Sequence, residues 1–154
     1  MQAQLNINDY VVEELTVRGN ADYKKTEKAH EGQIDIAFNA KRKDKEPLFM
    51  ITMLIELNKS KQDFANNAYY VFIKINGFFG FPKDTGEETM QKMISLNGLV
   101  MLYGMARGVV AQATANGAHG KFILPAVNFI ELIKKSSMSK SELKRKKVAK
   151  ARTV

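Results

Sequence analysis

Met90-Gln-Lys-Met-Ile-Ser-Leu-Asn-Gly-Leu-Val-Met-Leu-Tyr-Gly-Met-Ala-Arg-Gly-Val-Val-Ala-Gln-Ala-Thr-Ala115, a hinge Asn116-Gly-Ala-His-Gly120, and then Lys121-Phe-Ile-Leu-Pro-Ala-Val-Asn-Phe129 form the stretch that decides the fold. The first part is a long helix with apolar residues at Met90, Met93, Ile94, Leu96, Leu99, Val100, Met101, Leu102, Tyr103, Met105, Val109 and Val110. From Leu99 to Met105 they point in every direction, whereas a lone surface helix shows a single apolar stripe. One small sheet cannot cover such a helix. A partner is therefore expected, either another copy or a client chain, with Met93, Leu99, Val100, Met101, Tyr103 and Met105 at the oligomer interface. Gly98, Gly104 and Gly108 each cost about 1 kcal/mol against alanine in a helix, and close approach to another element would explain them. Asn116-Gly117 stops the helix. Phe122 to Pro125 is extended. After a turn or cap at Asn128, residues Val127, Phe129, Ile130, Leu132 and Ile133 make a short amphipathic helix.

The segments before this stretch read as four strands. Leu5–Val17 alternates, and its β-branched residues favour strand over helix. Gly19–Gly32 is polar and dense in Lys and Glu, a long crossover loop with Ala21, Tyr23 and Ala29 as its anchor candidates. Gln33–Ala40 places Ile34, Ile36 and Phe38 on one face. Leu48–Leu57 is apolar on both faces at its centre, as an interior strand is. Asn58–Asn67 reads as a polar turn, and Ala68–Phe81 as the fourth strand. Short charged connections between the later strands predict an antiparallel meander. The fold class is thus α+β: a four-stranded antiparallel sheet with a long crossover after its first strand, then one long and one short helix.

Length and charge narrow the function. The 154 residues suit one domain, taken as residues 1–135, followed by a basic tail, residues 136–154, that is disordered or loosely helical. The net charge of +8 resides in Lys134–Val154, which carries nine basic residues and one acidic, so residues 1–133 are neutral. A nucleic-acid or anionic partner would therefore bind through Lys134–Arg152. The absence of cysteine excludes disulfides and thiolate chemistry and suits a reducing compartment. Without a secretory signal at Met1–Asp9 or an uninterrupted apolar run of about 18 residues, the reading is a cytoplasmic protein that does not span a membrane.

No catalytic constellation appears. His30 and His119 sit in glycine-flanked loops and read as solvated histidines. Gly117-Ala-His-Gly120-Lys121 lacks the spacing of a phosphate loop. Adjacent pairs such as Glu13-Glu14 diverge and cannot act as a dyad. The expectation is a protein with no catalytic residue, no cofactor and no metal.

Gly77-Phe-Phe-Gly-Phe81, Met105-Ala-Arg107 and Leu124-Pro-Ala-Val-Asn-Phe129, in this order of elements, resemble the SecB family of export chaperones over residues 5–135. The family's Pro-[Ile/Val]-Asn-Phe signature stands here as Pro125-Ala-Val127-Asn128-Phe129, with one extra residue after the proline. The resemblance implies a homotetramer, a dimer of dimers with its long helices between opposing sheets, and a holding function without ATP. It implies client-binding grooves lined by Ile34, Ile36 and Phe38 on the second strand and by Phe129, Leu132 and Ile133 on the last helix. Family members engage the SecA motor through acidic sheet residues. Here Arg18 follows Glu13 and Glu14, and the fourth strand offers Phe72 and Lys74, which argues against motor binding. The leading reading is a chaperone for unfolded clients. The alternatives are a module devoted to one partner, such as the antitoxin of a toxin–antitoxin system, and a nucleic-acid-binding protein acting through its tail.

Overall fold

The computed structural model describes residues 4–26 and 32–137. The chain forms two compact units, Met1–Leu124 and Pro125–Val154. The first contains strands β1 (Asn6–Gly19), β2 (Ile34–Arg42), β3 (Leu48–Leu57) and β4 (Tyr69–Gly80), with a one-turn helix α1 (Lys61–Ala65) before β4. All pairings are antiparallel and the sheet order is β1-β4-β3-β2. The predicted α+β fold and interior position of β3 are both found. Residues 27–31 of the crossover loop, with Ala29 and His30, and tail residues 138–154 lie outside the described residues.

Alternation along the strands separates the two faces of the sheet. Ile51, Met53 and Ile55 on β3 and Val71, Ile73 and Ile75 on β4 are fully buried on one face. Their β-branched and unbranched side chains interdigitate under the long helix, each contributing about 1.5–3 kcal/mol through burial. β1 carries register shifts between Ile7 and Asp9 and between Val12 and Glu14, and such bulges bend a strand and increase its twist.

The long helix is one helical stretch of three pieces: α2 (Glu87–Met93), a π-helical turn at Ile94–Gly98, and α3 (Leu99–Thr114). Its buried side follows a spacing of four: Met90, Ile94, Gly98, Leu102, Ala106, Val110 and Thr114. In a regular α-helix such a stripe drifts by about 40° per step, because four residues exceed the 3.6 of a turn. The wider π turn takes up part of that drift and keeps the stripe on the sheet. The helix covers the sheet at β3, β4 and β1. By length and composition Glu87–Thr114 would also suffice to cross a bilayer; packing on the sheet buries the stripe from Met90 to Thr114.

Two local expectations change. Asn58–Asn67 is not merely a polar turn: Ser60 caps α1 by accepting from the Asp63 amide at 3.0 Å, and buried Asn20 donates to the carbonyls of Phe64, Ala65 and Asn67 at its other end. A capped single turn of five residues has too little apolar periodicity to stand out in sequence. Nor do the three helix glycines share one use. A Cβ on Gly98 would lie 2.7 Å from the Ile51 δ-methyl, whereas at Gly104 and Gly108 nothing lies within 4 Å.

In the second unit, residues 129–137 form the short helix, α4. Asn128 starts it, its carbonyl accepting from the Leu132 amide at 3.1 Å and its side-chain oxygen from the Glu131 amide at 3.3 Å.

Candidate functional site

The β2 strand lies at one edge of the sheet. Its register sets Ile34 opposite Leu57, Ile36 opposite Ile55 and Phe38 opposite Met53, so all three side chains lie on the helix-covered face. They differ from their neighbours in burial. The partners on β3 are buried, while Ile34, Ile36 and Phe38 are half-buried. Beyond them no strand of the described residues pairs with the outer edge of β2. An edge strand with an apolar row offers backbone hydrogen bonds and side-chain contact together, and an extended chain can use both.

In α4, Phe129 is buried, Leu132 and Ile133 are half-buried, and Ile130 is exposed. Their spacing puts Phe129, Leu132 and Ile133 on one helical face. Ile34, Ile36 and Phe38 thus share one face of β2, and Phe129, Leu132 and Ile133 one face of α4, with Phe129 itself covered within the chain.

Along the long helix, Leu99 and Tyr103 of α3 are buried within the protomer, while Met93 at the end of α2 and Met101 and Met105 of α3 are half-buried. Val100 is 49% exposed. Beside it, Gly104 and Gly108 leave the helix backbone open. Burial pushes the Tyr103 phenol up to about 12, with the Arg107 charge acting in the opposite direction. Arg107 itself donates from Nε to the Leu124 carbonyl at 2.9 Å and anchors the extended segment after the helix.

On the opposite sheet face two carboxylates, Glu13 and Glu56, are held by neighbouring side chains. Lys74 meets Glu13 at 2.6 Å, and Asn76 donates to the same carboxylate. These two bonds, Lys74 first, hold the Glu13 carboxyl below the usual range, and Glu13 in turn raises the Lys74 ammonium. Tyr70 donates to Glu56 at 2.9 Å, and the Arg18 guanidinium lies 4.6 Å from the centre of the Tyr70 ring. Burial and that bond push the Tyr70 phenol up. Glu13 and Glu56 are thus engaged within the chain.

One histidine differs from its sequence reading. His119 is half-buried, and its Nε2 is 2.6 Å from the Asn20 carbonyl. A carbonyl only accepts, so Nε2 carries the proton. The His119 amide donates to the Tyr69 hydroxyl at 3.1 Å, that hydroxyl donates to the Gly120 carbonyl at 2.8 Å, and the imidazole meets the Tyr23 and Tyr69 rings edge-on. The cluster fastens the start of the crossover loop to the turn after α3. Its partners are about 50 and 99 positions away in the chain, which is why local sequence did not reveal it. Among the described residues no three His, Asp or Glu side chains group as metal ligands do.

Comparison with known proteins adds three findings. A family model described as the preprotein translocase subunit SecB matches residues 1–140. An uncharacterized protein of Methanocaldococcus jannaschii is 25% identical over 144 residues, which cover 90% of this chain and 92% of that protein. A SecB-like chaperone of Mycobacterium tuberculosis, solved in complex with a ChAD peptide from the HigA1 antitoxin, aligns with a TM-score of 0.58 at 15% identity, over 81% of this chain and 88% of that one. At that identity the likeness is one of fold.

Proposed function

The chain belongs to the SecB family, and from that membership we propose that it is a cytoplasmic molecular chaperone that holds unfolded or extended polypeptides without ATP and without catalysis. The observation that carries the reading is the half-open apolar row Ile34, Ile36 and Phe38 on an edge strand. Such a row binds by buried area, about 25 cal/mol per Å², without selecting a sequence. Phe129, Leu132 and Ile133 supply the second client-binding face. Ordering an unfolded segment is costly, so several separated contacts on one extended client are favoured. The working form is a homotetramer, a dimer of dimers, with Val100, Met101 and Met105 of α3 toward another copy. The chaperone domain is residues 1–135; residues 136–154 are a basic appendage.

A second reading is a module devoted to one partner, of the kind represented by the M. tuberculosis chaperone with its antitoxin peptide. The pairing of Glu13 with Lys74 and of Glu56 with Tyr70 favours it over service to a SecA-type export motor, because both carboxylates are already engaged. Binding of nucleic acid through Lys134–Arg152 is a further possibility with its own signature, a steep salt dependence lost on removing the tail.

The deciding experiment is native mass of the purified protein alone and with a reduced, unfolded model client, alongside a light-scattering assay of client aggregation. A tetramer that takes up several unrelated clients and slows their aggregation supports the general chaperone. A tetramer that ignores them supports the devoted module. A monomer overturns the tetramer.

A further inference from the structure

A cavity of about 410 Å³ opens at the end of the sheet away from Ile34. Leu48 and Gly80 are register partners there, as are Lys41 with Met50 and Met50 with Phe78. Gly80 lies beside it: a Cβ on it would reach 2.9 Å from the side-chain amide of Asn8 and 3.4 Å from the Leu48 methyl, and both of those residues line the cavity. The walls are Leu48, Met50 and Phe78, the last 37% exposed. The rim is cationic, with Lys41, Arg42 and Lys43, and no carboxylate lines the cavity. None of the residues assigned to client holding takes part.

The three cations are not equivalent. The Arg42 guanidinium is taken up by the Glu87 carboxylate at 2.6 and 2.7 Å and by the carbonyls of Glu46 and Lys45. It cannot offer the planar fork that favours phosphate. Lys43 is 68% exposed and only 3.9 Å from Glu46, a separation at which an exposed pair contributes little. Lys41 has no ion pair among the described residues. Two flexible ammonium groups thus stand over an apolar hollow, in a body that is electrically neutral over residues 1–133. Ammonium groups on flexible stems suit carboxylates whose geometry is not fixed. Lys41 also belongs to the edge strand β2, whose outer backbone an extended chain can pair with.

We propose that this cavity is a second binding site, selective for an acidic segment of a partner polypeptide that inserts one bulky apolar side chain between Leu48, Met50 and Phe78 and sets its carboxylates against Lys41 and Lys43. The site discriminates by charge, whereas the β2 row discriminates only by apolar surface. It does not depend on the chaperone reading.

The test is fluorescence anisotropy with a labelled, end-blocked pentapeptide of one phenylalanine flanked by glutamates, and with its lysine counterpart. The acidic peptide binds and the lysine peptide does not. Lys41→Glu weakens binding at least tenfold, Phe78→Ser at least fivefold, and raising the salt from 50 to 300 mM weakens it further. Both variants slow client aggregation as the parent does. Equal binding of the two peptides, no binding of either, or unchanged affinity in both variants overturns the site. So does binding of anionic phosphatidylserine vesicles through Lys41 without binding of the acidic peptide. An Ile36→Asp protein that loses holding but keeps the acidic peptide separates this site from the chaperone surface.

Discussion

At the scale of single residues, the three helix glycines show what sequence could and could not convey. In the sequence Gly98, Gly104 and Gly108 carry the same helix penalty of about 1 kcal/mol and nothing to separate them. In the fold, Gly98 makes room for the fully buried Ile51, while Gly104 and Gly108 face open space within the protomer. Gly98→Ala gains the helix term but drives a methyl into a packed neighbour, and overpacking costs about 1–3 kcal/mol. The expected net effect is a loss of about 1 kcal/mol, read as a fall of a few degrees in the thermal midpoint. Gly104→Ala meets no such atom. It should stabilise an isolated protomer, and it should weaken assembly where a second copy packs on the backbone there. Thermal midpoints at two protein concentrations, with native mass, distinguish the two effects. Tyr103 gives a pH prediction. Its phenol ionises near 10 in the unfolded chain and near 12 in the fold. The folded state therefore binds more protons between those values, and stability falls as pH rises through that window. The contribution is fully present below pH 10. Its loss is on the order of 1–2 kcal/mol after allowance for solvent screening. Urea unfolding at pH 9 and pH 11.5 checks it: Tyr103→Phe removes the part of the alkaline loss due to this phenol, and an unchanged loss refutes the assignment.

At the scale of elements, strands with strong alternation were legible almost to the residue. The Ile34, Ile36 and Phe38 face is where period-two reading placed it, and β3 is interior because both of its faces are apolar. The π turn was not legible. Its visible trace is the uniform spacing of four from Met90 to Thr114, a pattern that in sequence reads simply as apolar residues on all sides. Leu99 and Tyr103 belonged to that apparent surplus and are covered within the protomer. The α1 turn escaped notice because five residues carry too little apolar periodicity, and the His119 cluster because its bonds join residues far apart in sequence. The element that tests function is β2. Ile36→Asp adds a charge to a half-buried row whose partner Ile55 is fully buried. A destabilisation of about 1–2 kcal/mol is expected, together with loss of client holding by a still folded protein. Phe38→Ser, a milder change on the same row, should weaken holding several-fold. Retained holding in both variants, with circular dichroism unchanged, would remove β2 from the client surface.

At the scale of the whole molecule, the question is what covers the rest of the long helix. Within one copy, the sheet takes the stripe through Ile94, Leu102, Ala106 and Val110 and leaves Val100 exposed beside half-buried Met101 and Met105. An isolated valine at a surface needs no explanation. A valine beside two methionines and two glycines with no neighbour is a surface on which another helix can approach closely, the glycines giving short backbone separation and the methionines adapting their shape. Assembly through this face should therefore be sensitive to charge and insensitive to apolar exchange. Met101→Asp with Val100→Asp places two carboxylates on each copy at a desolvated contact, where an unpaired charge is costly. The native mass is expected to fall from tetramer to dimer or monomer, while far-ultraviolet circular dichroism keeps its α+β form. Met101→Leu with Val100→Ile should leave the mass unchanged. If the aspartate pair left the tetramer intact, α3 would not lie at its centre, and the open glycines would need another occupant. If both pairs dissociated it, shape rather than apolarity would govern the contact. Client holding in the aspartate variant then carries the last distinction: a dissociated protein that still slows aggregation holds its clients on single protomers, and one that fails needs several faces on one extended chain.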